Sequence, residues 1–132
     1  MKKPPLLENQ IYHVYNRGVE KRNIFNDPSD YLRFLHDIFE FNDENPSLNV
    51  LYFFNSRSME VRPQYIGEER HTRKPLVEIL AFTLMPNHFH FLVRQKSKNG
   101  ITKFLQKLGT GYTMYFNKKY ERVGCLFQGG RR

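Results

Sequence analysis

Met85-Pro86-Asn87-His88-Phe89-His90-Phe91-Leu92-Val93 is the stretch that decides how this chain is read. Side chains alternate between the two faces of a strand. A strand beginning at His88 therefore puts His88 and His90 on one face and Phe89, Phe91 and Val93 on the other. The apolar set has to be covered, which predicts helices packed on one side of a sheet. The two imidazoles are left side by side on the opposite side, spaced so that both reach one divalent cation. Two ligands on a rigid strand leave positions open for substrate oxygens, as a catalytic ion needs and a structural ion does not. A cation there would stabilise charge developing on a phosphate. Two histidines at alternate strand positions also arise with no metal, so spacing alone leaves both readings open.

Working outward, Leu76 to Leu84 is a second strand, joined to the first through Met85-Pro86-Asn87. Val50 to Phe54 is a third, and Ile11 to Asn16 opens the fold, ended by Gly18. Asn26-Asp27-Pro28 predicts a helix start, with Asp27 as the cap and Pro28 in the first turn. Tyr31, Phe34, Leu35, Ile38 and Phe41 follow at three- and four-residue spacing, and Asn45-Pro46 ends that helix. Asn99-Gly100 opens a longer one, with Ile101, Phe104, Leu105, Leu108, Tyr112, Tyr115 and Phe116 on one side. Residues 55–74 turn polar (Arg57, Arg62, Arg70, His71, Arg73, Lys74) and read as a long hairpin loop or a loop insertion. Gly124 to Gln128 is a candidate last strand. The sum is one domain over residues 1–132, of α+β class. It is a ferredoxin-like antiparallel sheet with two helices packed on one face.

Twelve Phe and eight Tyr supply core material without disulfides, and the single Cys125 reads as a packing residue in a reducing compartment. Twenty-one Lys and Arg against thirteen Asp and Glu leave a net charge of +8, which attracts polyanions, nucleic acid first among them. Arg17, Lys21 and Arg22 follow the first strand, while Lys103, Lys107, Lys118 and Arg122 form a stripe on the last helix. These seven are the candidate DNA contacts, although a helix stripe is equally a solvated face. No apolar run approaches about 18 residues and no signal peptide opens the chain, so a soluble cytoplasmic protein with no membrane partner is expected.

Other chemistry-bearing residues receive plainer assignments. His13 stands on a strand that could lie beside that of His88 and His90 and so assist the site, but a hydrogen-bonded sheet or core histidine is the preferred reading; His36 and His71 are given no role. Tyr112 and Tyr115 fall on the apolar side of their helix, Tyr12 and Tyr15 face opposite ways, and Tyr120 is expected to be exposed. A His-x-His-x-His phosphoryl-transfer triplet would need a third His where the chain has Leu92. An RNA-binding ferredoxin-like module would show aromatics on the open sheet face, where His88 and His90 stand.

Three blocks together resemble the IS200-like HUH single-strand DNA transposases of the REP-associated tyrosine type. They are Tyr12-His13-Val14-Tyr15-Asn16-Arg17-Gly18, Leu84-Met85-Pro86-Asn87-His88-Phe89-His90, and Ile101 through Gln128 with its Gly124-Cys125-Leu126-Phe127-Gln128 ending. The likeness spans nearly the whole chain in the expected order. It implies that His88 and His90 hold Mg2+ or Mn2+, and that a tyrosine attacks the oriented phosphate to leave a 5′-phosphotyrosine link and a free 3′-hydroxyl. It also implies single-stranded DNA carrying hairpins as substrate, a homodimer, and association with the nucleoid. In that family the attacking tyrosine lies on a further helix downstream of the Gly-x-Leu-Phe-Gln segment, together with a third metal ligand. That helix is not in this sequence, so the nucleophile is expected beyond Arg132. The chain is then expected to bind metal and DNA and to lack efficient cleavage. The alternative is a catalytically inactive nucleic-acid-binding remnant.

Overall fold

In the computed structural model, which describes residues 5–45, 50–55, 60–65 and 72–129, the elements run β1 (Ile11–Arg17), α1 (Pro28–Phe41), β2 (Val50–Asn55), β3 (Glu60–Tyr65), β4 (Val77–Met85), β5 (His88–Gln95) and α2 (Gly100–Lys119). A single 3-10 turn, Val19–Lys21, lies between β1 and α1. Pro86 and Asn87 turn the chain between β4 and β5, and β1 pairs antiparallel along the other side of β5. The order β1-β5-β4 makes β5 the centre of the three-stranded sheet.

The alternation read in β5 sets the layers. Phe89, Phe91 and Val93 are buried. Phe34 of α1 lies 5.3 Å from Phe89 and 6.4 Å from Phe91, and Phe104 of α2 lies 5.8 Å from Phe91. Both helices therefore cover the same face, as an α+β fold of ferredoxin-like form requires. Tyr112 meets Phe34 edge-on at 5.0 Å, so aromatic rings carry the helix–helix contact as well as the helix–sheet contact. Truncating one such ring to Ala costs about 3–5 kcal/mol.

Helix α1 starts as its sequence dictates, with the Asp27 carboxylate accepting from the Asp30 N–H at 3.1 Å and Pro28 in the first turn. It ends at Phe41, before Asn45-Pro46. The Asn42 side chain accepts from the N–H groups of Leu76 and Val77 and donates to the Val77 carbonyl, so Asn42 leaves the helix to anchor the entry into β4. α2 crosses α1 at Gly111, where a Cβ would overlap the Phe41 ring.

Three sequence expectations are corrected. The polar 55–74 stretch is not loop throughout, because Glu60–Tyr65 pairs with Val50–Asn55 in a separate two-stranded sheet. Its charges hid an alternation in which Glu60, Arg62 and Gln64 interleave with Val61, Pro63 and Tyr65; Pro63 is tolerated because the sheet has only edges. The Val50 strand thus stands outside the main sheet, and Arg57, Arg70 and His71 lie outside the described residues. Gly124 to Gln128 forms a single bridge, Gly18 to Phe127, rather than a strand. Val19 donates to the Leu126 carbonyl and Gln128 to the Arg17 carbonyl, which places this segment along the free edge of β1. Cys125 is exposed, not packed. Among the described residues, no helix is long and apolar enough to cross a membrane.

Candidate metal and DNA site on the open sheet face

The pairing of β1 with β5 sets Tyr15 opposite His90 and Arg17 opposite His88, on the face turned away from the helices. His88 and His90 meet at 5.1 Å with rings nearly perpendicular, as their spacing predicted. His13 joins them. Its ring stacks on His90 at 5.0 Å and 11°, with Nε2 2.8 Å from His90 Nδ1, and Tyr15 lies 5.8 Å from His90. His13 is thus a hydrogen-bonded sheet histidine, one of the two readings of the sequence, and it is exposed in the cluster rather than in the core. Its odd-numbered position on a strand beginning at Ile11 was visible in the sequence. The register that brings it to His90 was not.

Hydrogen bonds decide which ring nitrogens are free. Asn87 donates its amide to the Lys21 carbonyl at 3.3 Å, which leaves its Oδ1 facing His88 Nδ1 at 2.7 Å. An amide oxygen only accepts, so His88 Nδ1 carries a proton and, in the neutral imidazole, Nε2 is the nitrogen with the free lone pair. When His90 Nδ1 is the donor to His13, His90 Nε2 is bare in the same way. Burial, then the neighbouring His13 and His88, lowers the His90 pKa and favours its neutral, ligating form. Metal-bound histidines are oriented by such outer partners, so the two imidazoles fit two positions of a cation site. Among the described residues no group of three or more His, Cys, Asp or Glu could hold a metal ion. Further ligands would be oxygens of substrate or water.

Beside His88 opens a cleft of about 600 Å³ whose walls include Tyr15, Arg17, Lys21, Asn87 and Gln128. The Arg17 Nε donates to Gln128 Oε1 at 2.6 Å, which fixes the guanidinium. Lys21 arrives on a turn in which Glu20 and Lys21 both take left-handed φ values of 55° and 60°. Such strain costs on the order of 1–3 kcal/mol per residue and persists where the surroundings hold it. Here they do, because the Ile24 and Phe25 N–H groups both donate to the Pro86 carbonyl and Gly18 N–H donates to the Asn87 carbonyl. The turn carrying the cations is thereby tied to the hairpin tip carrying the histidines.

The other candidate cations are not brought to this cleft. Arg22 and Arg122 line a separate hollow. Lys103 and Lys118 are exposed on α2, in the layer behind the sheet. Lys107 donates to the Asp43 and Asn45 carbonyls at 2.6 and 3.1 Å, so it closes the loop after α1 instead of forming part of a solvated stripe. Arg122 is held by the Asn117 side chain and the Cys125 carbonyl.

The tyrosines sort as clearly. Tyr112 donates to the Ile24 carbonyl and is buried, which raises its pKa. Tyr115 donates to Asp30 at 2.6 Å, and burial and that bond push its pKa up to about 12. Tyr120, expected to be exposed, is half-buried and also donates to Asp30. The Tyr12 hydroxyl accepts from the Leu7 N–H. Of the described tyrosine rings, Tyr15 is the one beside the histidines.

A family model described as "Transposase IS200 like" matches residues 52–130. The matched segment contains His88, His90, α2 and Gln128. No curated protein and no solved structure matches the chain.

Proposed function

Because the chain belongs to the family of IS200-like transposases, we propose that its open sheet face holds a divalent cation and, through it, a phosphodiester of single-stranded DNA. The observation that carries this is the row Asn87–His88–His90–His13, two potential ligands each hydrogen-bonded by a neighbour, bordering a cleft walled by Arg17 and Lys21. His88 and His90 are the proposed ligands of Mg2+ or Mn2+, and the ion when bound would supply Lewis-acid polarisation of the phosphate. Asn87 and His13 hold the two rings at a fixed angle. Arg17, kept in place by Gln128, and Lys21 take the non-bridging phosphate oxygens by charge-assisted hydrogen bonds. Lys103, Lys118 and the rest of the positive charge add a salt-sensitive attraction that does not depend on sequence. The finer features of the family resemblance belong to the same proposal: the REP-associated subtype, hairpin-bearing strands, a homodimer, and cleavage through phosphotyrosine.

A hairpin-bearing oligonucleotide incubated with Mn2+ and run on a denaturing gel tests this, with His88→Ala as control. An adduct lost in His88→Ala would place the nucleophile within these residues, and Tyr15→Phe would show whether it is Tyr15. Strand retention that needs Mn2+ and His88, without an adduct, would make the chain the metal- and DNA-holding part of the reaction. Retention indifferent to both Mn2+ and His88 would rule the proposal out.

A further inference from the structure

Behind the strained turn lies a second hollow, of about 290 Å³, lined by Arg22, Asn23, Asn26, Phe116, Tyr120 and Arg122. We infer that it is a separate subsite that takes one nucleotide of a single DNA strand whose neighbouring phosphate sits in the histidine cleft. The inference rests on the DNA-binding function proposed above and adds a place and a set of contacts to it.

The chemistry of the walls matches a nucleotide. None of the six lining residues is acidic. Arg122 is set in advance: one terminal nitrogen is on Asn117 Oδ1, the other is 3.2 Å from the Cys125 carbonyl, and the guanidinium lies 5.9 Å from the Phe116 ring. Two bonds leave the rest of its five N–H donors for an anion. Arg22 is exposed and its side chain makes no hydrogen bond or ion pair within the described residues. Two guanidiniums facing one hollow hold a phosphate well. Asn23, exposed and unbonded at its side chain, carries the paired donor and acceptor that a base edge requires. The Phe116 and Tyr120 rings stand 4.5 Å apart, and Tyr120 is held in place through its hydroxyl on Asp30, giving a fixed aromatic wall. The volume is at the small end of ligand pockets, roughly 300 Å³, enough for one nucleotide and too small for a duplex.

Position links the two clefts. Lys21 lines the histidine cleft and Arg22, the next residue, lines this one. The left-handed Glu20 and Lys21 sharpen the turn, which the bonds from Lys21 N–H to the Gly18 carbonyl and from Arg22 N–H to the Val19 carbonyl close. A strand leaving the histidine cleft over this turn meets the second hollow next.

The test is fluorescence anisotropy with labelled oligothymidylates, repeated across salt concentrations, on the full chain, Arg22→Gln and His88→Ala, with side-chain amide NMR of Asn23 and Asn26. Losing one phosphate contact on a single strand should flatten the plot of log K against log salt by about 0.7 in Arg22→Gln. The Asn23 and Asn26 amide signals should shift with the oligonucleotide. An unchanged slope in Arg22→Gln with unmoved amides, while binding still responds to His88→Ala, would overturn the subsite and leave the wider function standing. A wild-type chain that binds no oligonucleotide would overturn both. Inorganic phosphate alone shifting both amides as far as the oligonucleotide does would overturn the nucleotide assignment in favour of a bare anion site.

Discussion

Asp37→Asn should remove a loss of stability that the wild-type chain undergoes as pH rises from about 5 to about 8. Asp37 is on the inner side of α1 and fully buried. Arg33 donates to its Oδ1 at 3.3 Å, its Oδ2 has no partner, and the buried Glu40 adds a like charge one turn on. Burial outweighs the Arg33 attraction and pushes the carboxyl up to about 7, from 3.8 in the unfolded chain. Below 3.8 both states hold the proton and Asp37 contributes no pH dependence. As pH rises from there, the unfolded chain releases the proton while the folded chain keeps it, so stability falls until the folded group also ionises near 7. At about 1.4 kcal/mol per unit, the full loss is about 4 kcal/mol, of which roughly 2.5 kcal/mol falls between pH 5 and 8. Urea unfolding of both proteins at the two pH values measures it. Wild type should lose that much more than Asp37→Asn. Equal losses would mean that Asp37 stays solvated and that α1 does not pack as described.

Other substitutions test other joints of the fold and site. Gly111→Ala should lower stability by about 1–3 kcal/mol despite the better helix propensity of Ala, since its methyl meets the Phe41 ring; a raised melting temperature would show the helices are not so close. Asn87→Ala and His13→Ala should each weaken Mn2+ binding by roughly 10–100-fold with the fold intact by circular dichroism, because each removes the partner that orients a ligand. Calorimetric affinities equal to wild type would remove both from that role. Asp30→Ala should cost about 3–5 kcal/mol in denaturant unfolding, since it strips Lys119, Tyr115 and Tyr120 of their buried shared partner; a loss under about 1 kcal/mol would make this network decorative.

Much of the fold was legible because period and punctuation agreed. The β5 alternation, the Asp27-Pro28 start of α1 and the Pro86-Asn87 turn each follow from local rules of sterics and capping. The end of α1 was not legible, because Asn42 leaves the helix to bind backbone groups of Leu76 and Val77, more than thirty residues away. The β3 strand was masked by charges on an alternating pattern. At the site, His88 and His90 could be paired from spacing alone, since both lie on one strand. His13 could not, because its partnership with His90 depends on which residues of β1 and β5 face each other. Lys107 departs from the exposed stripe on α2 for a related reason: helical periodicity gives its direction and says nothing of the Asp43 and Asn45 carbonyls that capture it.

The first measurement to make is the affinity of the full chain for a hairpin-bearing single strand with and without Mn2+, beside His88→Ala and His90→Ala. We expect Mn2+ to tighten wild-type binding roughly tenfold or more and to leave both variants at the metal-free affinity. Equal tightening in the variants would show that these two histidines do not hold the cation that grips the strand.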